Sequence, residues 1–333
     1  MHFNFIIMRN ITVFSVLVIM LHCAQFASAQ EERTNAYAFS PSTNFGIFYG
    51  QTKEIVYASS IYKSEMLSEL LWDIKPVFYN GLSLDFSRER PMEKWGFFST
   101  LSLKIGFPGK SGKMEDRDWM SVENTALTHY SIHDNVINEL FFFDIDTGFS
   151  FPLNRFLLLK TYMAISYMRF SFTGQYGQGT YARSLGNRIY APIDDNPHRV
   201  PFSGKVITYT QNWLIAAPGI SLSFFFLNHF STELFFAISP LSFCLDEDQH
   251  LKTNVQYLDY TGFGLFIEPK FHFTYFFGKG LELSLEFSWR YIGKTIGHTY
   301  SRSPIGVGDY QKGGTAGAGL SVLNAGLCFK VRL

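Results

Sequence analysis

From Leu281 to Tyr291, apolar and polar side chains alternate without a break. Leu281, Leu283, Leu285, Phe287, Trp289 and Tyr291 share one parity, and Glu282, Ser284, Glu286, Ser288 and Arg290 share the other. Successive side chains of an extended chain leave opposite faces. One face of this strand is therefore wholly apolar, and the other is polar and charged. A soluble core does not accept two Glu and an Arg pointing inward. The wall of a membrane β-barrel accepts both faces, with lipid outside and a polar lumen inside. The C-terminal residues repeat the pattern, with Leu323, Ala325, Leu327, Phe329, Val331 and Leu333 set against Asn324, Gly326, Cys328, Lys330 and Arg332. The same reading sends Leu70, Trp72 and Ile74 to the lipid and Leu71, Asp73 and Lys75 to the lumen. It also sets Leu101, Leu103 and Ile105 against Ser102 and Lys104, and Phe143 and Ile145 against Asp144 and Asp146.

The alternating segments predict ten strands, near 44–58, 66–87, 95–107, 136–151, 156–175, 206–226, 231–246, 257–276, 281–296 and 315–333. An even count is what bacterial single-chain barrels have. The connections at 152–155, 228–229 and 278–280 are short, whereas 108–135, 176–205 and 297–314 are long and rich in Gly, Asp and Ser. The expected fold is thus all-β: a ten-stranded antiparallel transmembrane barrel of the outer membrane with long extracellular loops. Composition agrees, with 18% aromatic and only 17% charged residues, where a soluble domain carries about a quarter charged. A mean hydropathy of +0.03 is too polar for a helical membrane protein, and the best apolar segment, 213–227, is short and interrupted by Pro218 and Gly219. A net charge of zero gives a nucleic-acid partner no electrostatic support.

Residues 1–29 read as a secretory signal peptide, with Arg9, an apolar run from Ile11 to Leu21 and the small-residue site Ala27-Ser28-Ala29. Met8 is an alternative start. Residues 30–333 are then a single barrel domain. Cys244 and Cys328 are expected to be unpaired, since two cysteines do not make a disulfide scaffold.

Two acidic groups fall at strand ends on the side of the long connections. One is Glu115-Asp116-Arg117-Asp118 in the first long loop, and the other is Asp246-Glu247-Asp248-Gln249-His250 at the top of the seventh strand. At strand spacing Asp116 and Asp118 share a face, as do Asp246, Asp248 and His250. The second set continues the parity of Ile238, Ser242 and Cys244, read as lumen-facing. An Asp–His pair is a general-base unit: the carboxylate orients the imidazole and stabilises its protonated form while the ring takes a proton from water. A facing pair of carboxylates can hold that water, and the two acids raise each other's pKa and share a proton. Against this stand two plainer readings. Asp-x-Asp is common in solvated turns, and the same residues could hold a divalent cation, although a hard-ion cage needs more oxygens at loop spacing.

The segment Gly112-Lys113-Met114-Glu115-Asp116-Arg117-Asp118-Trp119-Met120 resembles the first active-site loop of the omptins, ten-stranded outer-membrane endoproteases of Gram-negative bacteria. Asp246-x-Asp248-x-His250 is similar to the family's D-x-D-x-H, and Gly50-Gln51-Thr52-Lys53-Glu54-Ile55-Val56-Tyr57 to its first-strand motif. The resemblance runs in order over essentially the whole chain beyond the signal peptide. It implies catalytic pairs Asp116 with Asp118 and Asp248 with His250, no metal and no cofactor. It implies a pocket of Glu54 and Asp246 for a basic side chain before the scissile bond, so that substrates would be polypeptides carrying Arg or Lys. It gives Ser131 and His133 a positioning role at most, and places His129 where the family has an acid reading the residue after the scissile bond. Arg169 matches the family's lipopolysaccharide-binding set, but Tyr167 and Ile165 replace its other members on that strand, so the resemblance does not extend to lipopolysaccharide dependence. The reading from another class is a porin-like or adhesive barrel without activity.

Overall fold

The structure is a computed structural model describing residues 37–88, 95–227, 229–277, 280–302 and 309–333. The signal peptide and the alternative start at Met8 lie outside the described residues. Ten wall strands run antiparallel. The first two are β1 (Tyr37–Tyr57) and β2 (Met66–Arg88). The third is β3 (Gly96–Gly106) continued by β4 (Gly109–Asp118), and the fourth and fifth are β5 (His129–Asn154) and β6 (Leu157–Tyr181). Three short pieces follow, β7 (Ser184–Gly186), β8 (Ile189–Tyr190) and β9 (His198–Pro201), before the sixth wall strand, β10 (Lys205–Phe226). The seventh is β11 (Phe230–Ser239) with β12 (Ser242–His250), and the eighth is β13 (Val255–Gly262) with β14 (Phe266–Phe276). The ninth is β15 (Leu281–Ile292) with β16 (Ile296–Arg302), and the tenth is β17 (Asp309–Val331). Each pairs with its sequence neighbours, and β17 pairs back onto β1 from Ser42↔Lys330 to Val56↔Ala316. No helix occurs among the described residues.

In the lower half the alternation is as the sequence predicts. Leu285, Phe287, Leu323, Leu327 and Phe329 are exposed on the outer wall, where hydrocarbon replaces water. The charges opposite them are buried and paired, as charges out of water must be. The Arg290 Nε and Nη2 donate to Glu268 at 2.5 Å and Asp144 at 2.9 Å. Lys270 lies 3.2 Å from Glu268, and Lys330 lies 2.5 Å from Asp85.

In the upper half, at the end carrying the long connections, the pattern inverts. Leu70, Trp72 and Ile74, expected to face lipid, point into the barrel and are almost fully buried. Trp72 stacks on Phe172 and Tyr209 with both centroids at 5.4 Å. Their polar neighbours face out: Lys75 pairs with Asp73 at 2.7 Å, and Arg117 with Glu115 at 2.5 Å. The reason is the solvent outside. Tyr49, Leu245 and Tyr260 are the last large apolar residues exposed on β1, β12 and β13. Above them the outward positions are Gln51, Lys53, Glu247 and Gln249. Above the lipid belt the wall stands in water, and the ordinary rule of apolar inside and polar outside returns.

The expected loops are correspondingly shorter. Residues 109–118 and 129–135 are wall strand, β6 runs to Tyr181, and β16 extends the ninth strand to Arg302. Asp116 and Asp118 therefore sit on a strand and not in a loop. Four wall strands break near mid-height, and the seventh, eighth and ninth resume with shifted parity. At Pro240, which has no N–H to give the ladder, Ser239 and Ser242 are both buried while Ile238 is 43% exposed. Ile238 faces lipid, contrary to the parity read from the sequence.

Candidate active site

The inverted upper barrel puts a layer of aromatic rings beneath a cluster of acids. Phe48, Phe142, Phe170, Phe172, Trp213 and Tyr209 are buried there. Opposite walls touch across this layer: Gln211 of β10 donates its Nε2 to the Lys53 carbonyl of β1 at 2.7 Å and to the Tyr209 hydroxyl at 2.6 Å. The acids stand above it, beyond the lipid belt.

On the seventh wall strand, β12 runs unbroken from Ser242 to His250, so Asp246 and Asp248 point inward together and are 1% and 2% exposed. The His250 Nε2 is 2.7 Å from Asp248 Oδ2. The imidazole edge packs against Tyr257, with centroids at 5.6 Å. This contact and the ion pair fix the ring and leave its other nitrogen available. Asp248 Oδ1 is buried without a partner.

On the third wall strand, Asp116 lies opposite Leu70 and Ser131, and Asp118 opposite Ser68 and His129. The Ser68 hydroxyl donates to Asp116 Oδ1 at 3.3 Å. The two pairs face each other closely enough to change each other's ionisation. Burial, then Asp118, hold Asp116 well above the carboxylate range, while His250 opposes them. Burial pushes Asp118 up to about 6 against the Ser68 hydrogen bond and the His250 charge. Burial alone would lower the His250 pKa, but the hydrogen bond and charge of Asp248, with Asp116 and Asp118, overcome it and raise it. Two carboxylates whose pKa values are lifted toward neutrality share a proton.

Glu54 comes from β1 and is 3% exposed, with Oε2 unpartnered. Its pKa is held far up by burial, then by Asp248, Asp246, Asp259 and Asp116. Asp246 Oδ2 receives the Cys244 thiol at 3.7 Å. Glu54 and Asp246, far apart in sequence, thus lie near enough for the charge of Asp246 to raise the Glu54 pKa. Asp259 of β13 was missed. It pairs in register with Asp246 and is 2% exposed. The signal was the alternation Tyr257, Asp259, Thr261 after a short turn. The sequence obscures it because the predicted seventh strand ends near residue 246, whereas β12 runs to His250.

Other expected residues take lesser places. The Ser131 hydroxyl is 2.9 Å from His133 Nε2, and His133 Nδ1 meets the Tyr176 carbonyl. Both ring nitrogens are used, so the pair ties β5 to β6, beside Asp116. His129 Nδ1 lies 2.9 Å from the Thr128 hydroxyl and its ring packs on Tyr181 and Tyr190. Arg169 faces outward on β6, bonded to Glu139 at 2.6 Å and to Asn212 at 2.9 Å. Among the described residues no group of three or more His, Cys, Asp or Glu is arranged to hold a metal ion.

A lipid-facing barrel with Asp116, Asp118, Asp248 and His250 gathered above its belt has the architecture of the outer-membrane β-barrel proteases. Within that class the sequence matches the profile of the Omptin family over residues 35–330, and the chain belongs to that family. Among solved structures it is similar to the outer membrane protease OmpT from Escherichia coli, with a TM-score of 0.76 and 19% identity, covering 89% of this chain and 97% of that one. A match to the toluene transporter TodX from P. putida covers 93% of this chain and 92% of that one, but at 10% identity and a TM-score of 0.30. No curated protein sequence matches the chain.

Proposed function

We propose that this barrel is an endoprotease that cleaves polypeptides after a basic residue, with its site on the cell exterior. A water molecule held between His250 and the Asp116–Asp118 pair attacks the scissile carbonyl. His250 takes the water proton through its free nitrogen, and Asp248 stabilises the imidazolium that results. The proton shared by Asp116 and Asp118 is available to the developing oxyanion, and His250 returns its proton to the leaving amine. The observation that carries this reading is the 2.7 Å Asp248–His250 pair facing two acids whose ionisation it perturbs. Glu54 and Asp246 form the pocket for the Arg or Lys side chain, since a cation leaving water needs charge-assisted partners. The site lies at the end with the long connections, which in outer-membrane barrels is the external end. Arg169 is already engaged by Glu139, an acid that would repel a lipid phosphate, which fits a protease without lipopolysaccharide dependence. The rings stacked across the interior speak against a pore. The test is cleavage of a fluorogenic peptide with paired Arg residues by the refolded protein. Product cut after Arg supports the reading, and no turnover by a protein with full β-sheet circular dichroism refutes it.

A further inference from the structure

Asp259 takes no part in the reaction described above, yet it stands in the pocket. It lies directly across the ladder from Asp246. One of its oxygens accepts a hydrogen bond from the Thr299 side chain, while Oδ1 is buried with no partner. Across the interior, Glu54 Oε2 is likewise buried and unpartnered. Among the described side chains of the strands between them, β16 and β17 bury Thr299, Ala316 and Ala318 here, the last paired with Glu54. Two orphan carboxylate oxygens thus flank a stretch of wall that carries small Ala and Thr side chains. An unmatched buried acceptor is costly unless a donor arrives. The guanidinium of Arg carries five N–H in a planar fork and can serve acceptors on two sides at once.

We propose that Asp259 is a third carboxylate of the specificity pocket, completing with Glu54 and Asp246 a site for an Arg guanidinium. This deepens the basic-residue reading and rests on it. The groups facing Asp259 are Asp246, Asp248 and Cys244 from β12, Glu54 from β1, Thr299 from β16 and Tyr257 on its own strand. None carries positive charge. Burial, with Asp248 adding to it against the Thr299 hydrogen bond, brings Asp259 up to about 7. Its ionisation therefore adds negative charge beside Glu54 and Asp246 as the pH rises through neutrality.

The test compares two peptides that differ only in Arg against citrulline before the scissile bond. Citrulline keeps the shape and removes the charge. The ratio of their kcat/KM values is measured from pH 6 to 8 for the parent, Asp259→Asn and Asp259→Glu. In the parent the ratio is expected to rise about ninefold, following ionisation from roughly a tenth to nine tenths across two pH units. In Asp259→Asn the ratio at pH 8 is expected to fall about tenfold or more and its rise with pH to flatten, with recovery in Asp259→Glu. If the parent prefers Arg but Asp259→Asn keeps both the ratio and its pH profile, Asp259 is not a pocket acid. If the parent shows no preference for Arg over citrulline, the basic-pocket reading fails first and this proposal falls with it. Circular dichroism of each variant separates these results from misfolding.

Discussion

Replacing Asp248 by Asn removes one charge and keeps the shape of the side chain. Two effects on His250 follow from the geometry. The 2.7 Å charge-assisted bond is lost, so the main support for the imidazolium that must form when water is deprotonated is gone. The hydrogen bond and charge of Asp248 are also the largest contributions raising the His250 pKa, so that pKa drops. His250 acts as base only when neutral. In the parent, kcat/KM therefore rises with pH through a value above the ordinary imidazole range, and in Asp248→Asn this acid limb moves to lower pH. The plateau falls as well. Loss of a general-base unit costs roughly 10²–10⁴-fold, or about 3–5.5 kcal/mol of transition-state stabilisation. The assay is kcat/KM for an Arg peptide from pH 5 to 9, with circular dichroism to establish the fold. A plateau within about threefold of the parent, or an acid limb that stays in place, would refute the assignment of Asp248 as the partner of the base.

The structure carries further expected outcomes. Leu285→Arg, on the lipid face, should weaken folding into bilayers by roughly 2–4 kcal/mol, while Trp72→Ala, in the upper interior, should cost about 3–5 kcal/mol as a core truncation. Urea titration in lipid vesicles checks both, and a Trp72→Ala protein as stable as the parent would return Trp72 to the outer face. Glu54→Ala and Asp246→Ala should each lower kcat/KM for Arg peptides more than for citrulline peptides, by about 2–5 kcal/mol of selectivity; equal losses would make these acids structural. Burial, then Asp259, then Asp248 hold the Asp246 pKa well above its ordinary value. An acid that binds its proton more tightly when folded contributes stability below its unfolded pKa and loses it as pH rises toward the folded one. Asp246→Asn should accordingly be more stable than the parent at pH 8, with the difference vanishing below about pH 4; a variant less stable than the parent at pH 8 would contradict the burial of that charge.

The lower barrel was legible because one physical rule governs it from end to end. Glu282, Glu286 and Arg290 had to find a lumen, and Leu285 and Phe287 a lipid face, whatever the neighbouring strands did. The upper barrel was less legible because the sign of that rule depends on height. Leu70, Trp72 and Ile74 alternate with Asp73 and Lys75 as lipid-facing residues would. Period two states only that the faces differ, and which face meets water is decided by where the belt ends. Ile238 failed for a related reason. Parity carries through a continuous strand, and Pro240 breaks this one. The shared face of Asp246, Asp248 and His250 holds because all three lie above that break on one uninterrupted segment. Asp116 and Asp118 were read as loop because Gly, Lys and Asp residues look like turn chemistry, whereas here they are the polar outer face and the acidic inner face of a strand standing in water.

The same inversion explains how the fold supports the site. A water-filled lumen would solvate Glu54, Asp246 and Asp248 and return their pKa values toward those of free carboxylates. The upper barrel is instead filled by Trp72, Phe170, Phe172 and Tyr209, so the acids above are held against an apolar floor with few donors. Burial is the first cause of the shift at Glu54, Asp116, Asp118, Asp246 and Asp248 alike. The cost of keeping these groups there is met by the rest of the wall, whose long ladders tie β1 to β2 and β17, and β6 to β5 and β10. A barrel strand cannot relax one residue without shifting its neighbours' register. Charges that would drift apart or draw in water on a loop stay adjacent and poorly solvated on strands, the condition under which the proposed acid and base roles of Asp and His near neutral pH become available.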